Sequence, residues 1–341
     1  MTDTYNYLRD SAAVHPDMTI RDFVKFLYQA EFGGGHLITD YDAALRWLKA
    51  EYESTDEDPH IPVCELISDR VMRINIAAVK GKLKCETLCM MFAVSARRIR
   101  GDMDRFIASL GILGEYFSQD EIDDYIKPYI ASGCPPVSHS EVYREKYAPA
   151  YRVVSTEFLP LLPLFMAIDE REDAIVGIDG RCASGKTTWA RLISDIYDCS
   201  VFHADDFFLP PEMRTEERLG EIGGNMDRER LYREVLLPTS KKRAAVYRKF
   251  FCHDCTFSDN ITVPYKNITV VEGSYCLHPE ISDVYDIKVF SDTDEDTQAR
   301  RIEQRDGKDG LEIFKSRWIP MEERYFDCFS IRSGCDMIIR T

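Results

Sequence analysis

Residues 176–192 read VGIDGRCASGKTTWARL, and this stretch decides how the rest of the chain is read. Gly180, Arg181, Cys182, Ala183, Ser184, Gly185, Lys186 and Thr187 fit the spacing G-x-x-x-x-G-K-[ST], with Thr188 directly behind. An apolar run over residues 174–178 leads in, and KTTWARLISDIY leads out with helical spacing. The motif therefore sits between a predicted strand and a predicted helix. Glycines let successive backbone N–H groups turn inward around phosphate oxygens, and the helix N-terminus adds a favourable dipole. Lys186 is expected to meet the β- and γ-phosphates of a nucleotide, and the Thr187 hydroxyl to ligate Mg²⁺. ATP and Mg²⁺ are the expected cofactors, with GTP left open.

Downstream of Arg171, the β-prone runs AIVGID, SVFHAD, AAVYRKF, ITVVEG, YDIKVFSD and DMIIR alternate with helical patterns. That alternation implies a parallel sheet covered on both faces. The expected fold class is α/β: a P-loop NTPase parallel sheet flanked by helices over residues 170–341, preceded by a mainly α-helical domain over residues 1–165. The boundary is expected within residues 160–172. The chain stops just after DMIIR, so the second domain is expected to be complete.

Ligands of an open α/β sheet lie beyond the carboxyl ends of its strands. VFHADDFFLP thereby sets Asp205 and Asp206 beside the γ-phosphate, where a carboxylate takes the proton of an attacking hydroxyl or holds it in line. A solvated acidic turn is the competing reading. ITVVEGSYC sets Glu272 where a second carboxylate holds Mg²⁺ or its water, unless it is a simple strand-end charge. Thr187, Glu272 and Asp205 form the candidate metal set. DTQARRIEQRDGKDG gathers Arg300, Arg301 and Arg305 on a helix expected to end at its glycines. Arginines there suit a lid that neutralises transition-state charge, although such a run by itself reads as a solvated helix face. Lys186, Asp205, Arg301 and Arg305 are the candidate catalytic groups.

About half the chain resembles the uridine kinase and phosphoribulokinase branch of P-loop kinases, through GIDGRCASGKTT, ADDFF, GGNMDRERLYREVLLP, VVEGSY and ARRIEQRD. The resemblance implies a catalytic base at Asp205, with Asp206 standing where relatives often have serine. It implies that Glu272 is the acidic residue of the family's EG strand end, that Asp227 binds ribose hydroxyls, and that Tyr247 lies on the acceptor side. Arg248, however, stands where nucleoside kinases carry aspartate, and the residues after it do not reproduce their base-binding histidine. The lid spacing is RRxxxRD rather than RRxxRD. These departures leave the transfer machinery in place, do not single out uridine, and through Arg248 permit an anionic acceptor. The implied activity is uridine kinase-like: transfer of the γ-phosphoryl group of ATP to a hydroxyl of a nucleoside, sugar or related small metabolite. Two rivals are a nucleotide switch or ATPase whose helical half binds a partner, and a bifunctional enzyme with a second activity in the first half. A switch needs a positioned water, whereas an aspartate and a lid arginine cluster serve an acceptor.

In the first half, TIRDFVKFLYQAEF opens with Thr19 as cap and places Ile20, Phe23, Val24 and Leu27 at helical spacing. DYDAALRWLKAEY, ISDRVMRINIAAVK, CETLCMMFAVSARRI and DMDRFIASLGIL read as similar amphipathic helices. SQDEIDDYIKPYI begins at Ser118 and is expected to end near Pro128. Two segments carry unusual chemistry. EFGGGHLI puts three glycines before His36, and CPPVSHSEVYREKYAPAYRVV collects Ser138, His139, Ser140, Arg144, Tyr147, Tyr151 and Arg152. They read either as a phosphate or carboxylate pocket containing His36, His139 and Arg144, or as a Gly-rich turn and a helix that docks onto the kinase domain.

At 341 residues the chain has material for two cores, and its net charge of −16 argues against a nucleic-acid backbone or an anionic membrane as main partner. The expected partner is a small hydroxyl-bearing acceptor, and a homo-oligomer is compatible with the sequence. Eleven irregularly spaced cysteines and an N-terminus without an apolar signal core point to a reducing, cytoplasmic home with free thiols. FLPLLPLFMAI, residues 158–168, is too short to span a bilayer. CHDC, residues 252–255, lacks a second ligand pair at zinc-site spacing, and Cys85 and Cys89 read as core thiols.

Overall fold

The computed structural model describes residues 2–38 and 40–341. Its contacts divide the chain into two units, Met1–Leu159 and Pro160–Thr341.

The first unit is built on helices, among them α1 (Thr2–Val14), α2 (Ile20–Phe32), α3 (Tyr41–Ser54) and α4 (Cys85–Arg98). The Asp22 carboxylate accepts hydrogen bonds from the Thr19 backbone N–H and hydroxyl, which fixes the start of α2. Phe23, Val24, Phe26 and Leu27 then enter a core with Val71, Phe106, Leu113 and Val153. The helix opened by Ser118 runs Gln119–Ala131, past Pro128, because proline forfeits a single N–H donor so near a helix end.

One segment departs from its expected helix. Within ISDRVMRINIAAVK, residues 71–75 form a strand, and only Ile76–Val79 makes a helical turn. A three-stranded antiparallel sheet results: β1 (Cys64–Leu66), β2 (Val71–Asn75) and β3 (Tyr151–Ser155), in that order. A helix over this run would put Arg73 on its polar face. Arg73 is instead 2% exposed, paired with Glu65 and Gln29 and stacked between the rings of Phe26 and Tyr151. With its charge satisfied, β-branched Val71 and Ile74 take the extended form that tertiary packing favours.

In the second unit, β4 (Ala174–Gly180), β5 (Cys199–His203), β6 (Ile268–Glu272), β7 (Ile287–Asp292) and β8 (Met337–Arg340) form one parallel sheet in the order β8-β7-β4-β6-β5. Every residue of β4 is buried, as a central strand covered on both faces requires. The helix Leu162–Asp169 belongs to this unit, where the Tyr197 hydroxyl donates to the Phe165 carbonyl. The division after Leu159 thus puts the whole of this helix in the second unit. AAVYRKF does not join the main sheet. Ala245–Tyr247 pairs with Ile261–Val263 in a separate two-stranded ribbon. Among the described residues, no helix is long and apolar enough to cross a membrane.

Candidate active site

The carboxyl ends of β4, β5 and β6 open onto one cleft of about 950 Å³. Gly180 leaves β4 with φ +132°, and a side chain there would run into the Ser291 backbone, its Cβ only 2.1 Å from the carbonyl oxygen. Only glycine lets the chain turn out of the sheet at this point. Gly185, with φ +93°, then delivers Lys186 to the first turn of a helix, Lys186–Ile196. The Lys186 ammonium donates to the carbonyls of Gly180 at 2.7 Å and Arg181 at 2.9 Å, which holds it at the centre of the loop.

Next to it, the Thr187 hydroxyl donates to Glu272 Oε1 at 3.0 Å, and His203 Nδ1 lies 2.5 Å from the same oxygen. Register explains the meeting: Glu272 on β6 pairs with Ile178 of β4 and His203 of β5, so three strand ends coincide. The hydrogen bond to Glu272 raises the His203 imidazole above its ordinary value, against the opposing effect of burial. Asp205 lines the cleft two residues past β5. Its carboxylate is open to the cleft's solvent yet closely surrounded by protein, and this desolvation pushes it above the ordinary aspartate value while Lys186 pulls it back.

Of the loop, Cys182, Ala183, Ser184, Gly185, Lys186, Thr187 and Thr188 line the cleft. Gly180 is the turn itself. The Arg181 guanidinium points elsewhere, to Glu323 at 2.8 Å and the Thr293 carbonyl at 3.0 Å.

Arg301 and Arg305 line the cleft from the helix Glu295–Ile313. Arg301 donates to the Ala183 carbonyl at 3.1 Å, and Arg305 pairs with Asp306. Arg300 turns to Thr297 instead. This helix does not end at its glycines: Gly307, at φ 75°, kinks it and the chain continues helically to Ile313.

Three expected acceptor-side residues are absent from the cleft lining. Asp227 caps the helix Arg228–Leu231 and pairs with Arg230. Tyr247 is buried against Phe207, ring on ring at 5.6 Å. Arg248 stacks on Phe257 at 4.6 Å. Each is spent on local packing. Arg214, Asn225 and Cys252 line the cleft where these residues were expected, and Cys252 feels the charges of both Arg214 and Asp205.

Sequence reasoning also missed Glu322. It is 5% exposed, accepts from the Cys182 N–H at 2.9 Å and the Ser274 hydroxyl at 2.6 Å, and so braces the phosphate loop. A glutamate in the middle of a charged helical run, IPMEERYF, gives no signal of that role. Arg317 and Trp318 line the cleft equally unannounced.

The C-terminal half is similar to two uridine kinases. Over 180 residues, 48% of this chain, it is 27% identical to the uridine kinase of Ligilactobacillus salivarius, of which 83% is covered. Over 184 residues it is 28% identical to the uridine kinase of Chlamydia pneumoniae, of which 80% is covered. The C-terminal half is uridine kinase-like. It is a phosphotransferase domain on a P-loop nucleotide-binding fold. The chain matches no protein-family model. Among solved structures, a possible uridine kinase from Bacillus stearothermophilus aligns with TM-score 0.41 and 19% identity, over 54% of this chain and 96% of that one. The shikimate kinase of Bacteroides thetaiotaomicron aligns with TM-score 0.29 and 16% identity, over 49% and 85%.

In the first unit, the expected grouping of His36, His139 and Arg144 does not form. His139 lines a cavity of about 420 Å³, but neither His36 nor Arg144 does. The His36 ring packs edge-on to Tyr28, and Arg144 is exposed on the short helix Glu141–Tyr147. His139 is buried, hydrogen-bonded to Asp22 and Tyr151, and stacked on Tyr143 at 4.2 Å.

Proposed function

We propose that this chain is an ATP- and Mg²⁺-dependent kinase that transfers the γ-phosphoryl group to a hydroxyl of a small metabolite. One observation carries the reading: Lys186, Thr187, Asp205 and Glu272 converge in a single cleft with Arg301 and Arg305.

Division of labour follows from the chemistry of each group. The loop N–H groups and Lys186 hold the phosphate chain by charge and hydrogen bonding. Asp205 accepts the proton of the attacking hydroxyl, and its raised pKa makes it a better base than an exposed aspartate. Arg301 and Arg305 neutralise charge that develops on the transferring group.

The site chemistry also fits Mg²⁺. Thr187 and Glu272 present a hydroxyl and a carboxylate at one point, and Asp205 adds a second carboxylate, all hard oxygen donors. Among the described residues no cluster of three or more His, Cys, Asp or Glu is arranged to hold a metal. An ion here would be held by these protein oxygens together with the substrate's phosphates. Bound there, Mg²⁺ would supply charge neutralisation at the phosphate oxygens.

On the acceptor side we assign the cation to Arg214 rather than Arg248, since Arg214 lines the cleft. The acceptor class is a nucleoside, sugar or related hydroxyl compound, and Arg214 accommodates an acceptor carrying negative charge.

The test is incubation of the full chain with Mg-ATP and a pool of hydroxyl-bearing metabolites, followed by mass spectrometry. Appearance of one phosphorylated species supports the kinase. ATP hydrolysed at full rate without any acceptor gaining phosphate would replace it with an ATPase.

A further inference from the structure

The polar side chains that line the cavity in the first unit are Lys25, Gln29, His139, Tyr151 and Arg152, a set rich in donors. Lys25 and Gln29 lie one turn apart on α2 and both line it. Gln29 is 2% exposed, and its Oε1 accepts from Arg73 Nη2 at 2.8 Å and Nε at 3.1 Å. Those two bonds fix the orientation of the carboxamide, so its NH₂ faces away from Arg73. Among the described residues that NH₂ has no hydrogen-bond partner, and the Lys25 ammonium has neither a hydrogen bond nor an ion pair.

The carboxylates near the cavity are committed elsewhere. Asp22 takes two hydrogen bonds from Thr19, two from Ser140 and one from His139. Glu51 pairs with Arg152 at 2.6 Å, and Glu65 with Arg73 at 3.2 Å. Hydrogen bonds hold Asp22 well below the usual carboxylate range despite burial, so it stays ionised and accepts from His139 Nδ1. The Tyr151 hydroxyl is 2.7 Å from His139 Nε2 and 3.2 Å from Gln29 Oε1, and these acceptors absorb its one proton. Arg152 also lines the cavity but is held by Glu51 and by the Tyr151 carbonyl, so among the described residues the donors without partners that face a ligand are the Lys25 ammonium and the Gln29 NH₂.

The rest of the lining is largely apolar. Phe92 lies within it, and Leu37 and Trp47 stand at 58% and 77% exposure. An indole that open beside a desolvated cation is costly for an isolated fold: it leaves apolar surface in water, and burial pushes the unpaired Lys25 ammonium down to about 8. A ligand with an anionic group and a flat apolar body relieves both costs at once.

We propose that this cavity is a binding site for a small amphipathic anion, a carboxylate or phosphate carried on a planar apolar body, held by Lys25 and Gln29 and covered by Trp47. The cavity shares no lining residue with the cleft formed by the C-terminal half, and the proposal does not rest on the function proposed for that cleft.

The test uses the full chain and five probes in ligand-observed NMR titrations: benzoate, phenyl phosphate, inorganic phosphate, neutral benzyl alcohol and cationic benzylamine. Benzoate, phenyl phosphate or both should bind with Kd of about 1 mM or tighter, and the better of the two tells a carboxylate from a phosphate site. Lys25→Met and Trp47→Ala should each weaken that binding about tenfold, while Lys186→Ala leaves it unchanged. Inorganic phosphate, lacking the apolar body, should bind more weakly. Lys25→Met should also melt no lower than the natural chain, because it removes an unpaired half-buried charge. Trp47 is exposed, so its variant keeps the test sound if Lys25→Met folds poorly. Failure of both aromatic anions to bind, benzylamine binding as tightly, or loss of binding in Lys186→Ala but not in Lys25→Met would overturn the proposal.

Discussion

Thr187 Oγ1 donates to Glu272 Oε1 at 3.0 Å, joining the first turn of the phosphate-loop helix to the end of the neighbouring strand. The same carboxylate oxygen binds His203. The Glu272 carboxylate is 5% exposed, so its charge is balanced by these two partners and by whatever cation enters the cleft. Glu272→Gln should therefore raise the Mg²⁺ concentration needed for half-maximal turnover and lower turnover itself. A titration of activity against Mg²⁺ concentration reads this, and a half-saturating concentration equal to that of the natural chain would speak against a role for Glu272 at the metal.

The His203–Glu272 pair also makes stability depend on pH. The folded-state pKa of His203 is raised, so the pair's contribution is complete below the ordinary value of 6.5 and is lost as pH rises through the higher folded value. Thermal melts of the natural chain and His203→Asn should differ most near about pH 6 and converge toward about pH 9. A gap that widens with pH would reverse the assignment.

Desolvation of Asp205 sets activity against stability. Its folded pKa is raised, so the fold carries a penalty once pH passes the aspartate range and the group ionises. Asp205→Asn should melt at or above the natural chain at neutral pH. A clear drop in melting temperature would show that this carboxylate holds the fold together instead.

Arg301 and Arg305 reach the cleft from a helix kinked at Gly307. Their contribution is expected in the transition state, so Arg301→Ala should lower kcat by about 10²-fold with ATP affinity little changed. Steady-state kinetics decide this once the acceptor is in hand. An unchanged kcat in both Arg301→Ala and Arg305→Ala would return the helix to the solvated-face reading.

Arg214→Ala should raise the acceptor KM by about tenfold and leave the KM for ATP alone, the signature of lost uniform binding on one substrate. Arg248→Ala should change neither, because its guanidinium is stacked on Phe257.

The phosphate loop, the strand-end carboxylates and the parallel sheet were legible because each follows from local pattern: glycine spacing, apolar runs, and the rule that ligands gather at strand ends. What stayed hidden depends on contacts distant in sequence. Glu322 meets Cys182 across 140 residues, and nothing in its own neighbourhood marks it. Arg73 reads as a polar helix position until Glu65, Gln29, Phe26 and Tyr151 surround it. Asp227 matched a family motif by position, but its carboxylate is taken up by a helix cap and Arg230. His36 and His139 were grouped by unusual composition, and composition does not fix distance.

In the proposed reaction Asp205 acts on the acceptor while Lys186 acts on the nucleotide. Mg-ATP binding by calorimetry and phosphoryl transfer by mass spectrometry, made side by side on the natural chain, Asp205→Asn and Asp206→Asn, test it most directly. Asp205→Asn should bind Mg-ATP with little change while transfer falls by about 10²–10⁴-fold, and Asp206→Asn should retain transfer. Full transfer by Asp205→Asn, or loss confined to Asp206→Asn, would contradict it.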